Sequence, residues 1–220
     1  MNFAKMRQEM CESQLLRRGI SDPGVLKAMN TIPREHYIPI DMIHLAYRDG
    51  PVPIDCGQTI SQPFIVAYMC EALRLKKSDR VLEIGTGSAY NAAILSQLCN
   101  QVHTLEINPI LAKEAMDRLR SEGINNVYVH QRSGGEGLAE YAPYDAIILT
   151  AAPTNLPKIL LDQLKNGGRL IAPLGDSNQY LYLFQKNLLG EIQKTLLFPV
   201  RFVPMTWAIR EKPVSTEDVQ

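Results

Sequence analysis

Val81-Leu82-Glu83-Ile84-Gly85-Thr86-Gly87-Ser88-Ala89-Tyr90 decides how this chain folds. Three apolar residues and one acid, in strand-like order, run into a glycine turn, and a helical pattern from Asn91 to Leu98 follows at once. That order builds a ligand pocket at the carboxyl end of a first parallel strand. Gly85 permits the tight turn, and Gly87 lets the backbone approach a ligand closely. A dinucleotide fingerprint would carry its third glycine where this chain has Tyr90, so the spacing reads G-x-G-x-A instead. A plain strand-to-helix turn can look the same, and the neighbouring segments have to separate the two.

Those neighbours alternate. Strands are predicted at 80–84, 101–106, 127–131, 145–150 and 169–173, and helices at 90–99, 109–122 and 157–164. The second helix is well punctuated: Asn108 caps it, Pro109 fills its first turn, Leu111, Ala115 and Leu119 recur every four residues, and Gly123 follows. Such alternation implies a parallel sheet covered on both faces. After Gly175 two further strands, 180–186 and 191–200, turn around Gly190 as an antiparallel pair at one edge. The first 60 residues differ. A helical run over 3–18 stops at Gly19, Asp22-Pro23 starts a second helix, and Pro33, Pro39, Pro51 and Pro53 break up the rest. The expected organisation is a helical appendage over 1–60 laid on a core over 61–210, with a loose tail at 211–220.

Composition narrows the function. A hydrophobic content of 45% with 21% charged residues supplies a real core for a chain of 220 residues. Lys plus Arg equals Asp plus Glu at 23 each, so no charge excess argues for nucleic acid or an anionic membrane as partner. Cys11, Cys56, Cys70 and Cys99 are scattered, as are the four histidines, and no metal site is expected. Residues 1–10 lack the apolar segment of a secretory leader, and no apolar run is long enough to span a membrane. The expectation is a reduced, cytoplasmic protein with a single core, working as a monomer.

Two further features carry chemistry. Glu106 lies 21 residues after Gly85 at the end of the second strand, where a doubly wound sheet sets a carboxylate beside a ribose. Gly57-Gln58-Thr59-Ile60-Ser61-Gln62-Pro63 precedes a helical run over 64–73. Ser61 reads as the N-cap of that helix; the same geometry, with free N–H groups at a positive helix end, would suit an anionic substrate. Spacing leaves both open. The G-x-G-x-A turn itself is of the kind used for S-adenosylmethionine.

Together, Gly57–Pro63 and Val81–Tyr90 resemble the protein-L-isoaspartate O-methyltransferase family. Ala46-Tyr47, Val52-Pro53-Ile54, the 142–153 stretch, Gly167-Gly168, Val200-Arg201-Phe202-Val203-Pro204, Leu16-Arg17-Arg18-Gly19-Ile20 and Pro33-Arg34 also have counterparts there. The resemblance implies a Rossmann-like, doubly wound α/β fold: a mostly parallel seven-stranded sheet of the class I S-adenosylmethionine-dependent methyltransferases, with an N-terminal helical appendage. It implies transfer of a methyl group to the free α-carboxylate of L-isoaspartyl residues in damaged proteins or peptides, with S-adenosyl-L-homocysteine as product. The ester then collapses to a succinimide, whose hydrolysis returns some normal aspartate. By position, Ser61 matches the active-site hydroxyl. Glu83, Gly85, Thr86, Gly87, Ser88, Glu106, Ile107, Ser133, Gly134 and Thr150 match cofactor contacts, with Glu83 under the methionine end. Thr59, Ile60 and Val203 match the peptide pocket.

The chain departs from the family pattern at several positions. Arg132-Ser133-Gly134 stands where Gly-Asp-Gly is usual, so Ser133 would replace a charged acceptor for the adenine amino group, weakening the cofactor by about 1–2 kcal/mol. Arg132 replaces a glycine that could have had positive φ. Ala89 replaces a turn glycine, with little expected effect. Asp55 replaces another glycine and would repel a substrate carboxylate if buried; Cys56 reads as a small buried residue. These departures keep alternatives in view: a nucleoside-binding homologue without activity, or a methyltransferase for another peptide carboxylate. An NAD-dependent oxidoreductase is disfavoured by Tyr90 and by the lack of a proton-donor set.

Overall fold

The computed structural model describes residues 1–206, so the tail expected at 211–220 lies outside the described residues. Helix α1 (Phe3–Met10) is capped by Asn2, whose side chain accepts the Lys5 N–H at 3.1 Å. It continues through a π turn (Cys11–Leu15) and a 3-10 turn (Leu16–Arg18) to Gly19, which ends it at φ 93°. The run over 3–18 is therefore helical but changes pitch twice. Helix α2 (Pro23–Thr31) starts as expected, with the Asp22 carboxylate accepting the Val25 N–H at 2.8 Å. Two 3-10 turns, Arg34–Tyr37 and Ile40–Leu45, lead to strands β1 (Val52–Pro53) and β2 (Thr59–Ile60), which pair antiparallel. Helix α3 (Pro63–Leu73) follows.

Beyond it lie β3 (Arg80–Ile84), α4 (Tyr90–Ser96), β4 (Gln101–Glu106), α5 (Pro109–Ser121), β5 (Val127–Gln131), β6 (Tyr144–Leu149), α6 (Lys158–Asp162), β7 (Leu164–Leu174), β8 (Gln179–Lys186) and β9 (Ile192–Val200). Seven strands form one sheet in the order β5-β4-β3-β6-β7-β8-β9. The pairs among β3 to β7 are parallel, and β8 runs against both of its neighbours, as expected for the edge pair. Chain order reverses between β3 and β6, so a topological switch point lies at the carboxyl end of the central strand. Two boundaries differ from expectation by three residues or more. Strand β7 begins five residues early because its pairing with β6 jumps from Tyr144↔Leu164 to Ala146↔Arg169, and the intervening residues, with Gly167 at φ 84°, bulge out. Helix α4 ends early because Gln97 and Leu98 donate to carbonyls three residues back, closing it in a 3-10 turn.

The two faces of β3 separate two cores. Val81 faces a cluster that holds Ile94 and Leu95 of α4 together with Met10, Leu15, Val25, Met29 and Tyr37 from the first 60 residues. Leu82 and Ile84 face a second cluster with Leu138, Tyr144, Ile147 and Leu160. The appendage thus shares one hydrophobic interior with the sheet. Each fully buried large side chain contributes roughly 1.5–3 kcal/mol, so at least five such residues weld the two parts together.

Candidate active site

Strands β3 to β6 deliver their carboxyl ends to one edge, and the residues just beyond them meet there. Gly85 follows β3 at φ 99°, its N–H donating to the Leu105 carbonyl at 2.9 Å. A Cβ at Gly85 would lie 2.4 Å from Thr150 Oγ1, which follows β6 and donates to the Ile84 and Gly85 carbonyls at 3.0 and 2.5 Å. Only glycine satisfies both the backbone angle and the close approach. Gly134, beyond β5, is constrained by close approach alone: a Cβ there would sit 2.2 Å from Ile84 Cγ2. At the end of β4 the buried Glu106 carboxylate accepts the Gly87 N–H and the Asn108 N–H, each at 2.9 Å. The glycine turn is thereby tied to the carboxylate predicted to face the ribose.

Three adjoining cavities occupy this edge. A tight inner one of about 60 Å³ is lined by Ile60, Ser61, Thr86, Gly87, Ser88, Tyr90, Asn91, Glu106 and Thr150, among others. It shares Gly85, Glu106 and Val203 with a chamber of about 370 Å³ that reaches Ile107, Asn108 and Gly134. It shares Thr59, Ser61 and Val203 with an outer groove of about 1000 Å³ walled by Phe64, Tyr68, Phe198 and Phe202. Ser61 therefore stands where the inner cavity meets the groove. The segment after β9 roofs the site: the Phe202 N–H donates to Gln179 Oε1 at 2.6 Å, the Ala152 N–H donates to the Val203 carbonyl at 2.9 Å, and the Met205 N–H donates to the Ala152 carbonyl at 2.8 Å.

Glu83 lies behind the inner cavity and does not line it. Its carboxylate accepts Asn91 Nδ2 at 2.7 Å and Thr104 Oγ1 at 2.6 Å, and Thr104 Oγ1 is 2.7 Å from Thr86 Oγ1. Burial pushes the Glu83 carboxyl up to about 7, against the lowering pull of those two donors. It is an acid held in reserve under Asn91 and Thr86, both of which do line the cavity.

The structure corrects the expectations for Ser61, Cys56 and Ala89 and gives the surroundings of Asp55, Ser133 and Arg132. Ser61 does not cap α3: Gln62 occupies the cap position, without a side-chain bond, which leaves the Ser61 hydroxyl out of the helix. Cys56 is exposed, not buried, at φ 57°, and lines the larger chamber. Asp55 is exposed and lines none of the three cavities, so solvent screens it from the groove. Ser133 also lines none of them; its Oγ accepts the Gly135 N–H at 3.4 Å as cap of a 3-10 turn. Arg132 is not among the positive-φ residues, so glycine is not needed there. Ala89 does matter, because it adopts φ 69°, a strained angle for a residue with a Cβ. Asn91, Tyr90 and Phe202 line the inner cavity without being among the expected contacts, although Asn91 and Tyr90 lie within a turn of the glycine motif.

A switch-point cavity with a buried carboxylate at the end of β4, two glycines that admit no side chain and a large chamber fits a nucleoside bearing an amino-acid arm. Fold and site define a class I S-adenosylmethionine-dependent methyltransferase. The model of the family described as "Protein-L-isoaspartate(D-aspartate) O-methyltransferase (PCMT)" matches residues 5–209, and the chain belongs to that family. It is 50% identical over 211 residues to a protein-L-isoaspartate O-methyltransferase of a Synechococcus species, covering 92% of this chain and 86% of that one. A namesake from Opitutus terrae is 48% identical, covering 94% and 88%. Among solved structures, a protein-L-isoaspartate O-methyltransferase superposes with a TM-score of 0.79 at 30% identity, over 90% of this chain and 65% of that one. A Plasmodium falciparum counterpart in complex with S-adenosyl-L-homocysteine gives 0.79 at 29% identity, over 91% and 98%.

Proposed function

We propose that this chain is an S-adenosylmethionine-dependent enzyme that methylates the free α-carboxylate of L-isoaspartyl residues in damaged proteins and peptides, a repair reaction. The observation that carries the assignment is the position of Ser61, on the wall shared by the inner cavity and an open, peptide-sized groove. When bound, the cofactor supplies an electrophilic methyl group. The chain's task is to hold and aim. Glu106 takes the ribose end, Gly85, Gly87 and Gly134 admit the nucleoside against bare backbone, and Ser88 and Asn91 line the inner end. Thr59, Ile60 and Val203 seat the peptide beside it.

A substrate carboxylate is already ionised at neutral pH, so no general base is required. The Ser61 hydroxyl donates to one carboxylate oxygen and leaves the other directed at the inner cavity. Alignment at contact distance, with water excluded beneath the Phe202–Met205 roof, supplies the rate. The first 60 residues act as cover and the remainder as catalytic core. The working form is a monomer in the cytoplasm, with neither nucleic acid nor membrane as partner. The balanced charge supports that reading, and no helix among the described residues is long and apolar enough to cross a membrane.

The test is methyl transfer from labelled S-adenosylmethionine to two peptides that differ only in an isoaspartyl or an aspartyl residue. Transfer to the isoaspartyl peptide alone is the expected result. Transfer to neither, with folded protein and saturating cofactor, would move the assignment to another carboxylate or to nucleoside binding.

A further inference from the structure

Arg34 is fully buried in the 3-10 turn after Pro33, yet it enters none of the ion pairs formed by the described residues. Its neighbour Glu35 is taken up by Arg7 and by the Tyr47 hydroxyl. A buried cation without a counter-ion is costly, and one that is kept should be judged by what it holds. Arg34 Nη2 donates to the Ser61 carbonyl at 2.8 Å, and Nε donates to the Ala46 carbonyl at 2.7 Å. Its guanidinium lies 4.8 Å over the ring of Tyr90, which lines the inner cavity and meets Tyr37 edge-on at 5.4 Å. One planar group therefore ties the appendage, the loop that carries Ser61 and the aromatic wall beside the glycine turn.

The pattern of donors explains why arginine is needed. The two carbonyls are taken by two different nitrogens of one rigid guanidinium, whose centre sits over the Tyr90 ring. A lysine ammonium is a point donor without that plane and can serve one carbonyl well but not both. The Ser61 carbonyl has no helical role to fix it, because α3 begins only at Pro63. From this geometry we infer that Arg34 is a positioning residue for methyl transfer, fixing the backbone of Ser61 so that its hydroxyl meets the substrate carboxylate. This rests on the isoaspartyl methyltransferase reading of the same site. The glycine turn has its own anchors in the Leu105 carbonyl and Glu106, so the cofactor should not depend on Arg34.

The test is a double-mutant cycle of Arg34→Lys with Ser61→Ala, read as kcat and KM for an isoaspartyl peptide and as Kd for S-adenosylhomocysteine. Wild-type transfer is the control; its absence would reject the assigned activity and leave the role of Arg34 to be read from peptide binding alone. With that control in place, Arg34→Lys should lower kcat roughly ten- to a hundredfold, the scale of a misplaced reacting group. The Kd should stay within about threefold of wild type, and in the Ser61→Ala background the lysine should add less than about twofold, as for two residues acting as one unit. Wild-type kcat in Arg34→Lys, or an equal loss with and without the serine hydroxyl, would overturn the inference. Arg34→Met is made in parallel, since an apolar chain of similar length removes the buried charge. If circular dichroism shows that neither variant folds, Arg34 is a folding residue and the inference fails.

Discussion

The proposed mechanism gives Ser61 and Glu106 different work, and substitution should separate them. Ser61→Ala should lower methyl transfer by one to two orders of magnitude while leaving cofactor affinity nearly unchanged, as equilibrium dialysis beside a turnover assay would show. Glu106→Ala removes the acceptor of two backbone N–H groups as well as the proposed ribose partner, so the cofactor Kd should rise by about tenfold or more. Glu83 adds a pH signature. Its folded-state carboxyl, at about 7, stands above the ordinary 4.5, so the native protein holds a proton that the unfolded chain has released between those values. That stabilisation is complete below about pH 4.5 and is lost as pH rises through about 7, a difference on the order of 3 kcal/mol. Glu83→Gln should therefore gain stability relative to wild type as pH is raised from 5 to 8 in urea titrations. The amide is tolerable there because Thr104 Oγ1 can turn its proton to Thr86 Oγ1 at 2.7 Å. A wild-type pH profile in the variant would place the titration elsewhere.

At the scale of elements, the turn joining β3 to α4 is the strained piece. Gly85→Ala meets both an unfavourable φ of 99° and a contact of 2.4 Å with Thr150 Oγ1. It should lose at least about 1–2 kcal/mol from the angle alone, and adding Thr150→Ala should not recover that part. Ala89→Gly should move the other way, by up to about 1 kcal/mol in the free energy of urea unfolding, because the native angle of 69° favours glycine. This turn was legible in the sequence because its glycines and the apolar run of β3 are local signals. So were the caps of α2 and α5, Asp22 and Asn108, each of which accepts a bond from its own helix. The pitch changes after Met10 and the bulge in β7 were not, since both answer to contacts made elsewhere in the chain. Arg34 escaped for the same reason: an arginine after a proline reads as a surface charge until the fold closes over it. Ser61 shows the limit of a local reading, because its spacing fits a cap while the helix starts one residue later, after Gln62.

Over the whole molecule, ligand binding and folding are linked. S-adenosylhomocysteine at a hundred times its Kd should stabilise the chain by about 2.7 kcal/mol and raise its thermal midpoint, whereas NAD at the same concentration should leave the midpoint in place. A shift with NAD instead would reopen the oxidoreductase reading. The shared interior described above bears on motion. Met10, Leu15, Val25 and Met29 are within 2% of complete burial, and they are packed with the helix that follows the glycine turn. The N-terminal segment therefore cannot swing aside as a door. Its amides in α2 should exchange with deuterium only through global unfolding, at rates matching those of β3, and a protease should find no cleavage there that spares the sheet. Peptides must then enter and leave along the open groove, past a wall that stays put.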